Sequence, residues 1–312
     1  MKVEFRTLLD KESRLAFWML VPTFTVVIAF VIFPVIWNLW LSLKPVSLAD
    51  LRGTALFKFN LSLENFQKVF SDPDFVPAIL TTLIYTVAGS TLSIFLGLIA
   101  ALLVHGEFRG RSLLRGLFIA PYIAPVVAVV FTWSFILDPQ LGVLNWLAVD
   151  RGLLAQPIPF LSQRWWELDL IGVRIRLPLA LTSVILFEGW RYFPFAFLFI
   201  LARLQAIPDE LYQAASVDGA SPFQRFYHIT LPQLATVLST LFLFRFIWTF
   251  NKFDDIFLLT RGRAGTEVLT IKVYDYAFGE FNIGASSAVA MVLFGVLTVF
   301  LLIYFRWIAR EA

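Results

Sequence analysis

The 312 residues include no cysteine, which removes disulfide and thiol chemistry. Charge is scarce: Asp, Glu, Lys and Arg make up 15% of the chain, against about a quarter in an ordinary soluble domain. Histidine occurs only at His105 and His228, far apart in sequence, and no metal-ligand spacing is visible. No Gly-x-x-x-x-Gly-Lys-Ser/Thr loop is present, so if ATP drives this protein another chain binds it. A net charge of +3 gives no reason to expect a nucleic-acid partner. What fills the space is apolar: 59% hydrophobic residues, with 34 Phe and 10 Trp, a membrane composition.

Long charge-free runs organise the chain. Leu15 to Leu43 holds no charged residue. A helical span needs about 20 apolar residues, so this run is one tilted or kinked helix, with Pro22 and Pro34 able to bend it. It is too long for the apolar core of a signal peptide and shows no small-residue cleavage site, so it is expected to be retained. Further spans are expected at about 75–104, 113–137, 177–204, 231–259 and 283–307. Pro121 and Pro125 fall inside the third, where neighbours would have to satisfy the freed carbonyls. The loops are 44–74, with the turn Ser71-Asp72-Pro73-Asp74, the basic turn 105–111, the long 138–176 with Trp165-Trp166 suited to an interface, and 260–280. The reading is an all-α integral membrane protein with about six transmembrane helices: a cytoplasmic segment 1–14 and a membrane domain 15–308. No soluble domain and no close internal repeat are visible.

Six spans put both termini on one side. That side carries Lys2, Arg6, Lys11, Arg14, Arg109, Arg111, Arg115, Arg203, Arg225, Arg306 and Arg310 in short segments, whereas the opposite loops spread as many over more residues. The density bias favours cytoplasmic termini.

Two expected spans carry polar stripes. Glu188, Arg191, Tyr192 and Phe195 recur at helical spacing in the fourth; Arg245, Trp248, Thr249 and Lys252 do so in the fifth, with Asp255 three residues on. A charge at membrane depth costs about 2.5–3.5 kcal/mol on insertion scales and usually faces an interior. Aromatic faces with charged and amide groups suit a sugar. The alternative is structural: Glu188 pairing with Arg191, and Lys252 with Asp255. A second alternative makes Glu188 or Asp255 the proton carrier of an ion-gradient transporter, and a third is a non-transporting scaffold.

Between spans four and five, residues 207–232 read as helix, tight turn, helix. Pro208, Asp209 and Glu210 suit a first turn. Gly219 can end the helix in the left-handed conformation, and Ser221-Pro222 is a new N-cap and first residue. Phe223, Phe226 and Tyr227 keep helical spacing. Ala214, Ala215 and Gly219 are small enough for another backbone to approach closely.

This stretch resembles the cytoplasmic coupling loop of ABC-importer permeases, in which Glu-Ala-Ala precedes Gly, Ile and Leu-Pro at fixed distances. Here Gln213-Ala214-Ala215, Gly219, Ile229 and Leu231-Pro232 match, with Gln213 in place of Glu, which leaves the docking shape and removes one charge. Asp218-Gly219-Ala220 and Ile207-Pro208 resemble the carbohydrate branch, as do Trp190 to Phe195, Phe253 to Thr260, Leu259 to Leu269 (with a degraded Gly-Gly-Pro part), Tyr274 to Phe278 and Gly284 to Ala288. The likeness covers nearly the whole chain from Ala16.

The resemblance implies the type I importer permease fold in a bacterial or archaeal cytoplasmic (inner) membrane. It implies transport of a sugar or oligosaccharide, with no enzyme activity and no cofactor on this chain, and a coupling loop at 207–230. The partners it implies are a second permease in a heterodimer, an ATPase dimer carrying ATP-Mg, and an extracytoplasmic binding protein docking partly on the 259–269 loop. Gln213, Ala214, Ala215, Asp218, Gly219, Ala220, Phe223 and Arg225 would meet the ATPase. Glu188, Arg191, Tyr192, Phe195, Arg245, Trp248, Thr249, Lys252 and Asp255 would line the pore.

Overall fold

Proline and short polar breaks decide where the helices of this chain stop. A computed structural model describes residues 11–52, 60–170 and 173–311; most of the segment 1–14, expected to be cytoplasmic, lies outside them. In chain order the elements are α1 (Ala16–Ser42), α2 (Glu64–Ser71), α3 (Phe75–His105), α4 (Arg111–Ile123), α5 (Val126–Ile136) and α6 (Val143–Asp150). A hairpin of β1 (Trp165–Leu170) and β2 (Val173–Pro178) follows, antiparallel with Trp165 opposite Pro178. Then come α7 (Leu179–Gln205), α8 (Asp209–Val217), α9 (Pro222–Phe250), α10 (Asp254–Leu259), α11 (Leu269–Tyr274) and α12 (Ile283–Glu311). Among the described residues, five helices are long and apolar enough to cross a membrane, or six if α4 and α5 form one broken span.

Several expected boundaries are corrected. The third span is no single rod: α4 and α5 meet at 98° across Ala124-Pro125. Pro125 lacks the N–H that would continue the helix, and Ala124 is extended at φ −61°, ψ 142°. The fifth span does not run to 259 but stops at Phe250, with Asn251 to Phe253 non-helical. Asn251 turns its amide back onto the Ile247 carbonyl at 2.8 Å, and Asp254 and Asp255 then open α10 at the positive end of its dipole. The helix after Gly219 is not separate either; it runs on into the fifth span as α9. That helix holds a π turn at Phe226–Thr230, just before Pro232, and α1 holds one at Ile28–Ile32, just before Pro34. Widening the turn relieves the clash each proline ring would make one turn back. The loop 138–176 contains α6 and most of the hairpin.

The chain divides into two units. In the unit formed by residues up to 73 and from 272, the C-terminal part of α1 and α2 both pack on α12. Lys272 pairs with Asp72 at 2.7 Å, and the Tyr276 hydroxyl donates to the same carboxylate at 3.0 Å. Much of α1 is exposed apolar surface; Phe30, for example, is 77% exposed.

The other unit, residues 74–271, is built on the long contact between α3 and α7. Gly89, Ser93, Gly97 and Ala101 recur every fourth residue on α3, and all are buried. Such a stripe of small residues lets two membrane helices approach closely. A Cβ at Gly97 would lie 2.7 Å from the Ala196 Cβ and 2.8 Å from the Phe197 amide nitrogen, which is backbone and cannot rotate away. Gly97→Val is therefore expected to lower stability by about 1–3 kcal/mol or more, as overpacking does. Denaturant unfolding in detergent checks this; an unchanged midpoint would show that the helices have slack there.

Candidate functional site

The intramembrane site is assembled by α3, α7, α9 and α10. Glu188 on α7 is fully buried, with Arg245 of α9 as its ion partner. Tyr85 on α3 donates its hydroxyl to Glu188 at 2.8 Å, and Thr249 donates its own at 2.8 Å. Arg245 also donates to Ser93 at 3.2 Å and to Thr249 at 3.1 Å. Three helices are thus tied through one carboxylate. The Gly89 position makes room for it, since a Cβ there would sit 2.8 Å from the Glu188 Cγ.

A second group adjoins the first. The Tyr192 hydroxyl donates to buried Asp255 at 2.9 Å, and Lys252 approaches the same carboxylate at 3.4 Å and Asp254 at 3.7 Å. The Tyr192 ring lies between cations, with the Arg245 guanidinium at 4.5 Å and the Lys252 ammonium at 4.3 Å from its centroid. Lys252 sits in the break after α9, so it does not continue the helical stripe of Arg245, Trp248 and Thr249.

Of the two pairings the sequence offers, one holds and one does not. Lys252 does meet Asp255; Glu188 does not pair with Arg191. Arg191 instead donates to the backbone carbonyls of Pro121 and Ala124, each at 3.1 Å. Spacing along one helix suggested a neighbour three residues away, but α3 and α9 present partners to Glu188 from across the packing. Tyr85 and Ser93 were missed as members of the cluster. They lie in a charge-free run whose only clue is the alternation of Thr82, Thr86, Ser90 and Ser93 with glycines.

The aromatic candidates behave differently from the charged ones. Trp248 is 46% exposed and Phe195 is half-buried, while Glu188, Arg245, Thr249 and Asp255 are shut off. Phe195 stands 5.0 Å from Trp248 and 4.9 Å from Phe199, and Phe244 stacks on Trp248 at 5.8 Å. Tyr122, at the end of α4, extends this band to Phe195 at 6.3 Å. Phe195, Phe199 and Phe244 also line an apolar groove with Thr236 and Thr240.

At the turn between α8 and α9, Gly219 has φ +80° and ends α8 in a Schellman motif. The Ala220 amide donates to Ala215 at 2.9 Å and the Gly219 amide to Ser216 at 3.1 Å. Ser221 is the N-cap of α9, and Gln224 reciprocates by accepting from the Ser221 amide at 2.7 Å. Arg225 reaches back to Ser216 at 2.9 Å, and Tyr212 bonds Thr230 at 2.9 Å, so the two helices are braced on each other. Ala215, Asp218, Gly219, Ala220 and Arg225 border one cleft of about 300 Å³. Gln213, Ala214 and Phe223 are exposed nearby. Phe223 and Tyr227, stacked at 6.5 Å, and Val217 (88% exposed) add exposed apolar surface on α8 and α9, of which Val217 was not singled out by motif spacing.

A family model described as "Binding-protein-dependent transport system inner membrane component" matches residues 93–312. The chain belongs to that family. Two relatives and one solved structure place this inner-membrane component more closely. The inner membrane ABC transporter permease protein YcjO of Escherichia coli K12 is 38% identical over 237 residues, 75% of either chain. The trehalose transport system permease protein SugA of Mycobacterium tuberculosis is 32% identical over 302 residues, 96% of this chain and 91% of SugA. A chain of the crystal structure of a bacterial ABC transporter involved in import of the acidic polysaccharide alginate superposes with a TM-score of 0.77 over 98% of both chains. At 21% identity that likeness establishes the fold, that of an ABC importer permease. The protein is a multi-pass inner-membrane permease subunit and not an enzyme.

Proposed function

We propose that this permease forms half of the pore of an ATP-driven sugar or oligosaccharide importer. A second permease completes the pore, a separate ATPase dimer binds ATP-Mg, and an extracytoplasmic binding protein delivers the sugar, with the 259–269 loop contributing to its docking. Both termini and the α8–α9 turn lie in the cytoplasm, where the cleft beside Gly219 and the exposed apolar surface of α8 and α9 receive the ATPase. The observation that carries this reading is continuity: α9 runs unbroken from the capped turn at Ser221 to Arg245, Trp248 and Phe250. A push on the turn therefore reaches the intramembrane cluster through one rigid element. An ion-gradient cycle would leave that arrangement without a purpose, and of its two candidate proton carriers Glu188 is already held by Arg245, Tyr85 and Thr249, and Asp255 by Tyr192 and Lys252.

Within the pore, the rings of exposed Trp248 and half-buried Phe195, with Phe199, Phe244 and Tyr122, supply the sugar platform. Glu188, Arg245, Thr249 and Asp255 hold the helices that carry it. Trp248→Ala is expected to slow uptake by the reconstituted importer about tenfold, equivalent to about 1.4 kcal/mol, while all subunits still co-purify. Unchanged uptake kinetics would remove Trp248 from the pathway.

A further inference from the structure

The break in the third span leaves two backbone carbonyls without helical partners. In a continuous helix the Pro121 carbonyl would accept from residue 125 and the Ala124 carbonyl from residue 128. Residue 125 is proline and has no N–H. Ala124 is extended, and α5 begins only beyond Pro125, whose own carbonyl takes the Val129 amide. Within a membrane no water replaces the lost bonds, so each orphaned carbonyl is costly. These are the two carbonyls that Arg191 takes, one with each terminal nitrogen, at 3.1 Å. Arg191 is 6% exposed, and among the described residues no carboxylate forms an ion pair with it. Its counter-charge is the negative end of the α4 dipole.

Broken membrane helices present such ends to bound cations in ion-driven carriers. Here a side chain fills the place. Tyr122, the residue after Pro121, is 41% exposed and touches Tyr192 at 6.1 Å and Phe195 at 6.3 Å. We propose that Arg191 is a positioning residue, a built-in cation that caps the broken third span and so fixes its bend and the place of Tyr122 beside the aromatic band. Arg191 then orders the pathway without touching what passes through it. The proposal concerns this chain's own backbone and does not depend on the transported substrate.

The test uses the absence of native cysteine. Leu117→Cys on α4 and Phe135→Cys on α5, each 58% exposed, place spin labels on either side of the break in the full chain. Pulsed dipolar spectroscopy should give one narrow distance with Arg191 present. Arg191→Met should broaden the distribution at least about twofold, since it removes both charge-assisted bonds. Arg191→Ala should be broad as well, and guanidinium chloride at low concentration should narrow it again by refilling the site. Arg203→Met is the control: Arg203 lies on the same helix but bonds Gln233 instead, so its loss should leave the distance as it was. A distribution unaltered in Arg191→Met overturns the proposal, as does equal broadening in Arg203→Met. If Arg191→Met does not fold, Arg191→Lys decides: a lysine lacks the fork, so the distribution must broaden, and a native width overturns the claim.

Discussion

Arg245→Met is expected to destabilise the permease by about 3–5 kcal/mol, the cost of leaving one member of a buried ion pair behind. Glu188 is completely buried, and without Arg245 its carboxylate would keep only the Tyr85 and Thr249 hydroxyls. The double variant Glu188→Gln/Arg245→Met removes both charges; the glutamine carbonyl can accept from one of the two hydroxyls, and its NH2 can donate to the oxygen of the other. It should recover most of the loss, because well-packed neutral groups often replace a buried pair at little cost. Denaturant midpoints of the two variants in detergent make the comparison. If the double variant is as unstable as Arg245→Met alone, the unpaired charge is not the cause. Packing of the Arg245 side chain, whose guanidinium lies over the Tyr192 ring, would then decide.

The cluster also shows where sequence reading ends. The Glu188, Arg191 and Arg245 positions were legible, because charges inside apolar runs are conspicuous. Their pairing was not, because periodicity along one helix reports only its own neighbours. Glu188 is satisfied from α3 and α9, and the α3 residues are uncharged: Tyr85 donates to Glu188 itself, and Ser93 accepts from its partner Arg245. Lys252 shows the same limit. Its spacing from Arg245 suggested a continuing stripe, yet it lies past the helix end. The run Asn251-Lys252-Phe253-Asp254-Asp255 did hold the signal, since an asparagine at a helix end and acids at the next start mark a break.

The third span is a sharper case. Pro121 and Pro125 were visible and their freed carbonyls expected, but a kink and a 98° break have the same local signature. What separates them is whether a neighbour supplies donors, and Arg191 does so from 67 and 70 residues away in the chain. By contrast the Gly219 turn was fully legible. A left-handed glycine and the Ser-Pro start of the next helix are local chemistry, and the structure reproduces both. Only the fusion of that helix with the fifth span was unforeseen, because Leu231-Pro232 reads as the opening of a new segment, whereas the proline is accommodated within one helix by a π turn.

That turn gives the prediction with the largest functional effect. Gly219 is at φ +80°, and a Cβ built there meets nothing within 4 Å. Gly219→Asp therefore strains the backbone by about 1–2 kcal/mol without a clash inside this chain. The chain should still insert in the membrane and bind the second permease. The new carboxylate, however, protrudes at the mouth of the Ala215–Asp218–Ala220 cleft, where the proposed ATPase would have to desolvate it. Co-purification of the ATPase should fail and uptake should drop at least about tenfold, a loss of about 1.4 kcal/mol or more. Gly219→Ala separates backbone strain from buried charge. It carries the same Cβ without the carboxylate, so its defect should be much milder. If Gly219→Asp retains normal ATPase binding and coupled uptake, the docking point lies elsewhere on the cytoplasmic surface, and the exposed apolar surface of Val217, Phe223 and Tyr227 becomes the part to alter next.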